Sequence, residues 1–159
     1  MLYEISVLKL SEILRYVIYD SSTEKTPLEK DIHYVSNYID LQCLRLANKV
    51  TVNYLIEGDS KDLKIAPLLL IVFIENAFKH GISYTHPSAI TIAIKIFDKA
   101  LEMMVSNPVT GDISLETSGI GLKNVKRRLD LLYPENYWLD VAQDKNLYTV
   151  HLRINLNDD

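Results

Sequence analysis

The sequence predicts an α+β two-layer sandwich, a mixed sheet with helices on one face, preceded by a helical hairpin. Two amphipathic helical segments lead the chain, about five stretches of alternating apolar residues follow, and two further helical segments fall between those stretches. The 159 residues are one domain's worth on a prior of about 100 to 200 residues per domain. A chain of that length buries roughly 68–70% of its unfolded surface, so one real core is expected.

Leu2, Ile5, Leu8, Ile13, Leu14, Val17 and Ile18 recur near helical spacing, and the segment closes in the turn-favouring run DSSTEKT. Thr26-Pro27-Leu28-Glu29 then offers an N-cap threonine, a proline at the first helical position and a glutamate at the capping-box position. With Leu28, Ile32, Val35, Ile39 and Leu46 as its apolar stripe, the second helix runs from about 27 to 47. Two such leading helices pack either on the sheet or on a partner, and the pattern leaves both open. Met1 begins directly in the helical pattern without a capping lead-in, as a piece of a longer chain would.

Val50, Val52, Tyr54 and Ile56 alternate up to the turn at Glu57-Gly58-Asp59-Ser60, which reads as a strand. A segment apolar on all sides follows Pro67 and predicts a central buried helix. Ile90, Ile92, Ile94 and Ile96, a turn at Asp98-Lys99, and Leu101, Met103 and Val105 predict a β-hairpin. Residues 108–118 read as a loop, Leu122, Val125, Leu129 and Leu132 as a fourth helix, and the stretches around 137–143 and 147–156 as the last strands.

Composition removes several function classes. With 48% apolar and 24% charged residues the chain is globular in type. Seventeen basic against twenty-one acidic residues, a net charge of −4, withhold the positive field that nucleic-acid binding relies on. The ten tyrosines are spread along the chain without a basic groove, so they predict no stacking platform for single strands. A lone Cys43 makes no internal disulfide and no zinc-ligand spacing, which fits a reducing compartment. The longest apolar run, residues 65–74, is far short of the ~20 residues of a membrane span, and the N-terminus shows no cleavable signal.

Chemistry is most legible at Glu75-Asn76-Ala77-Phe78-Lys79-His80-Gly81, where polar residues appear abruptly at the end of the most apolar helix. At ~100° per residue, Glu75, Asn76, Lys79 and His80 fall within an arc of about 140°, below Leu68, Ile71 and Val72 on the same side. That points to the floor of a cavity. The plainer reading is a Glu75–Lys79 pair four residues apart, a histidine near the helix C-terminus and Gly81 as its cap. The second signal is Gly119-Ile120-Gly121-Leu122, a glycine pair where a loop enters a helix. Glycines permit close backbone approach, and the helix N-terminus aims unpaired N–H groups at a phosphate. Three of only five glycines, Gly81, Gly119 and Gly121, stand at these two edges, with Gly111 in the loop before the second.

Together these segments resemble the ATP-binding domain of the GHKL superfamily, and more closely the LytS-like sensor histidine kinases. The resemblance runs through Leu14-Arg15-Tyr16, the stretch from Pro27-Leu28-Glu29 to Tyr38, Gln42 with Arg45, and Ala66-Pro67 through Gly81, and ends with GIGLKNVKRRLDLLYP at 119–134. It implies a Bergerat-type sandwich holding Mg-ATP between the core helix and a flexible lid over 108–118. By resemblance, Asn76 is the asparagine whose oxygen binds Mg²⁺, and Glu75 is its neighbour that assists the phosphoacceptor or a water. Lys79 and His80 approach the phosphates, with Gly81 beside them. Gly119 and Gly121 match the glycine pair that accommodates the triphosphate, and Leu122 is the first packed residue of the next helix. The adenine-reading place, usually an Asp in a DxGxG pattern, holds Val105-Ser106-Asn107-Pro108-Val109 here, so Asn107 would accept the adenine amine as a neutral acceptor.

The same resemblance implies residues 1–48 as the helical remnant of a dimerisation and phosphoacceptor region and 49–159 as the ATP-binding catalytic domain. It implies a homodimeric, membrane-anchored parent with this part in the cytoplasm, passing phosphate to a response regulator. None of His33, His80, His86 and His151 matches the family's phosphoacceptor, which lies upstream of the Leu-Arg-Tyr segment, so the chain is not expected to phosphorylate itself on histidine. A different class remains open at this point: a degenerate nucleotide-binding or dimerisation module without turnover.

Overall fold

The computed structural model describes residues 2–46, 50–83, 85–109 and 119–157. Along the chain the elements are α1 (Leu2–Tyr19), β1 (Thr26–Pro27), α2 (Leu28–Leu46), β2 (Thr51–Gly58), β3 (Lys64–Ile65), α3 (Ile71–His80), β4 (Ala89–Phe97), β5 (Ala100–Pro108), α4 (Gly119–Leu132), β6 (Tyr137–Gln143) and β7 (Leu147–Asn155). They form two compact units, residues 1–48 with 60–71, and residues 49–59 with 72–159.

In the first unit α1 and α2 make the expected helical hairpin. Lys9 Nζ donates to Asn37 Oδ1 at 3.1 Å and to Asp40 Oδ2 at 2.8 Å, and Asn37 Nδ2 donates to Glu12 Oε2 at 2.7 Å. Tyr16 stacks on Tyr34 with ring centroids 4.7 Å apart. As positions rise along α1 their partners on α2 fall, so the helices are antiparallel. Leu28, Val35, Ile39 and Leu46 are buried, as the stripe predicts, together with Asp31, Tyr34 and Asn37.

Two helix starts differ from expectation. Thr26 and Pro27 do not open α2; they pair antiparallel with Ile65 and Lys64. The Leu28 N–H, unpaired within a helix at that position, donates to the Leu63 carbonyl at 2.8 Å, so this ribbon does the work assigned to a threonine cap. The core helix begins at Ile71, and Leu68 lies outside it at φ 59°. Leu69 and Leu70 are nonetheless fully buried, which is why an unbroken apolar run conceals the true start.

The second unit is a five-stranded mixed sheet in the order β2-β4-β5-β7-β6. Only β2 and β4 pair in parallel; the other neighbours are antiparallel. The parallel pair requires a crossover, which residues 59–88 supply with α3 inside it. Inner-facing Ile90, Ile92, Ile94, Leu101, Met103, Val105, Val150, Leu152 and Ile154 are buried, as are Phe73, Ile74, Ala77 and Phe78 of α3 and Val125 and Leu129 of α4. Met104 and Trp138 are exposed. One covered and one open face is the two-layer arrangement expected. The β4–β5 hairpin turns on Asp98 at φ 47° and Lys99 at φ 58°, the paired positive angles of a type I′ turn. The expected loop and lid over 108–118, with Gly111, lies from residue 110 onward outside the described residues.

Candidate functional site

The last turns of α3 carry the predicted polar residues. Glu75 and Lys79 are exposed, Asn76 and His80 half-buried, so among the described residues this face lies open instead of forming an enclosed floor. The i,i+4 pair is not made. Among the described residues neither Glu75, Asn76 nor Lys79 has a hydrogen-bond or ion-pair partner, whereas Ala77 and Phe78 on the opposite side pack into the core. Desolvation raises the Glu75 carboxyl above its ordinary range. His80 is lowered, by burial first and by the Lys79 charge second.

Gly81 closes the helix with its N–H on the Ala77 carbonyl at 2.8 Å. Among the described glycines only Gly58 has a positive φ, so Gly81 is required by space and not by a left-handed cap. A Cβ there would stand 2.5 Å from Asn107 Cβ and 2.6 Å from the Ala77 oxygen. The end of α3 is thereby set against the end of β5. Asn107 follows Leu101, Met103 and Val105 at period two, so it is the polar residue of the inner face, 3% exposed. Its Nδ2 donates to the Pro108 carbonyl at 2.9 Å. That bond is made by the amide nitrogen, so Oδ1 is the acceptor the side chain retains.

Gly121 meets α3 at its other end. Gly119 begins α4, and a Cβ at Gly121 would lie 3.6 Å from Val72 Cγ1. Val72 and Asn76 are four apart on one helix face, so the α4 N-terminus stands about one turn before Asn76. Leu122 is half-buried, the first of the α4 residues to pack, ahead of Val125 and Leu129. The structure therefore gathers Asn76, Lys79, His80, Gly81, Asn107, Gly121 and Leu122 along α3 and the two chain ends that abut it. Glu75 stands beside Asn76 on the exposed side.

Among the described residues no group of three or more His, Cys, Asp or Glu side chains could hold a metal ion. That donor set still fits Mg²⁺ bound with a nucleotide, because Mg²⁺ takes one or two protein oxygens and completes its shell with phosphates and water. Asn76, half-buried and without a partner among the described residues, offers one such oxygen. Among the described residues no helix is long and apolar enough to cross a membrane.

Sequence reasoning missed Asp31. It is fully buried and accepts hydrogen bonds from Tyr16 Oη at 2.5 Å and from the Leu68 N–H at 3.1 Å. The signal was available: Asp31 lies three residues after Leu28 and four before Val35, an acid set into the apolar stripe.

A histidine kinase family model matches residues 3–50. The sensor protein LytS of Staphylococcus haemolyticus is 26% identical over 141 residues, covering 80% of this chain and 24% of the relative. The sensor histidine kinase YpdA of Escherichia coli is 29% identical over 146 residues, covering 81% of this chain and 25% of the relative. The chain thus spans about a quarter of the length of these curated relatives. Among solved structures, the histidine kinase domain of the Erythrobacter litoralis EL346 blue-light activated kinase superposes with a TM-score of 0.58 at 16% identity, covering 98% of this chain and 75% of that one. Histidine kinase ThkA, in complex with the response regulator protein TrrA, gives 0.53 at 15% identity over 95% of this chain and 48% of that one. The relatives bear out the resemblance to LytS-type sensor histidine kinases over most of the chain, and the solved structures share its α+β fold.

Proposed function

We propose that the chain is the ATP-binding catalytic portion of a LytS-type two-component sensor histidine kinase, which binds Mg-ATP along α3 and transfers the γ-phosphoryl group to a histidine upstream of this sequence. The supporting observation is the convergence on one helix of three features. They are the half-buried Asn76 amide with no partner among the described residues, the Gly81–Asn107 contact at one end, and the α4 N-terminus beside Val72 at the other.

Asn107 Oδ1 accepts the adenine amine, while the N–H groups at the start of α4, opened by Gly119 and Gly121, receive the phosphates. Asn76 holds the metal ion, which supplies charge neutralisation at the phosphates when bound. Lys79 and His80 add cationic and hydrogen-bonding groups, and Glu75, with its raised carboxyl, takes and holds a proton more readily than an ordinary glutamate. Phosphoryl transfer needs mainly such positioning and electrostatic stabilisation. The parent is a homodimeric, membrane-anchored sensor with this portion in the cytoplasm, and a response regulator receives the phosphate.

Calorimetric titration of ATP with and without Mg²⁺, on wild type and Asn76→Ala, tests the reading. Saturable metal-dependent binding is expected, weakened about tenfold or more in Asn76→Ala, the loss of one charge-assisted contact. The melting temperature should not change, because Asn76 has no partner among the described residues to lose. Absence of binding by wild type would overturn it and leave the dimerisation module without turnover, a reading favoured by the exposed Tyr3, Val7, Leu10, Leu14 and Val17 of α1.

A further inference from the structure

Asp31 Oδ1 accepts hydrogen bonds from two structurally different places within one compact unit. Tyr16 lies on α1, stacked on Tyr34, and Leu68 lies in the non-helical turn Pro67–Leu70 that ends where α3 begins. Leu68 holds φ 59°, a region L side chains rarely adopt because Cβ crowds the backbone. A hydrogen bond from its own N–H to the buried Asp31 Oδ1 compensates, being sheltered from water. Leu69, Leu70 and Ile71 are buried immediately after it, so the path into the first turn of α3 is fixed at Leu68. Asn76 lies five residues beyond Ile71 on the same helix, and its angular position follows from where that helix starts.

We propose that Asp31 is the positioning residue of the candidate ATP site: it holds the Pro67–Leu70 turn in the conformation that starts α3 and ties that conformation to α1 through Tyr16. This rests on the reading of α3 as the nucleotide helix. A displacement of α1 that withdraws the Tyr16 hydroxyl removes one of these donors to Asp31, loosens the turn and lets the first turn of α3 fray, moving Asn76.

Tyr16→Phe removes a single oxygen and keeps the stack, and Asp31→Asn keeps an acceptor oxygen while removing the charge. Amide hydrogen exchange on the whole chain, without nucleotide, is the first readout. Both variants should speed exchange of amides 68–76 about tenfold, as the loss of one such buried bond allows, while amides of β4, β5 and β7 exchange as in wild type. Unchanged exchange at 68–76 in both variants, or a uniform rise throughout the chain, would overturn the proposal in favour of an ordinary buried hydrogen bond. Titration with Mg-ATP well below melting is the second readout. Affinity should fall about three- to tenfold in both variants, and local loosening with unchanged affinity overturns the positioning role. If wild type binds no Mg-ATP, the reading of α3 as the nucleotide helix fails, while the exchange result still decides whether Asp31 sets the start of α3.

Discussion

Gly81 and Asn107 lie so close that no side chain fits between them: a Cβ at 81 would come within 2.5 Å of Asn107 Cβ. The expected outcome for Gly81→Ala is a loss of about 1–3 kcal/mol, typical of overpacking, or roughly 2–4 °C of melting temperature per kcal/mol at this chain size. Displacement of Asn107 should weaken ATP binding further. Gly121→Ala is the contrasting case, because its Cβ would meet Val72 at an ordinary 3.6 Å. It should melt within about 0.5 kcal/mol of wild type yet bind ATP more weakly, since only the approach of phosphate is obstructed. Thermal melts and titrations on both variants decide; a Gly121→Ala chain that binds like wild type would remove the glycine pair from the site.

The β4–β5 turn holds two non-glycine residues at positive φ, Asp98 and Lys99. Glycine adopts such angles without steric cost. Lys99→Gly should therefore raise the melting temperature slightly, because about 1–2 kcal/mol of left-handed crowding is relieved against about 0.5–1 kcal/mol of added unfolded-chain entropy. The backbone bond from the Leu156 N–H to the Lys99 carbonyl survives the change. A fall in melting temperature would mean that the lysine side chain contributes more than its backbone angle costs.

His80 and Glu75 give opposite pH signatures. With His80 lowered from 6.5 by burial and then by Lys79, the folded chain binds fewer protons than the unfolded chain between the lowered value and 6.5. Stability is then lost as pH falls through that window. With Glu75 raised from 4.5 by desolvation, the folded chain binds more protons just above 4.5, and stability is lost as pH rises through that range. Relative to wild type, His80→Gln should gain stability on acidification below 6.5 and Glu75→Gln on alkalinisation above 4.5. Melting curves across this range check both signs. An NMR titration of His80 should move upward in Lys79→Met.

What the sequence revealed and concealed follows from range. The isoleucines at 90, 92, 94 and 96 write their alternation locally, and the structure buries each of them. The switch to Glu75-Asn76 at the end of an apolar helix is likewise local and marks the candidate site. The β1–β3 ribbon is two residues per strand, too short for any periodicity to show. The turn before α3 is hydrogen-bonded at Leu68 to Asp31, 37 positions away. The Gly81–Asn107 contact depends on how β5 lies beside α3, which composition and spacing do not encode.

Helix α1 leaves a row of apolar side chains exposed. Tyr3, Val7, Leu10, Leu14 and Val17 are 87%, 62%, 47%, 51% and 40% exposed and are spaced four, three, four and three apart. A 3.5-residue repeat is the seam of coiled coils and helix bundles, and five apolar side chains in one row are a large apolar area to leave in water. Leu28, Val35 and Ile39 of α2 are already buried, so within the hairpin the row on α1 is the surplus. In sedimentation the chain should associate into a concentration-dependent dimer. Leu10→Glu combined with Leu14→Glu should return it to a monomer without weakening Mg-ATP binding, because neither residue is in the candidate site. A wild-type chain that stays monomeric at high micromolar concentration would show that this row is not a self-association seam. A double variant that remains dimeric would place the interface elsewhere.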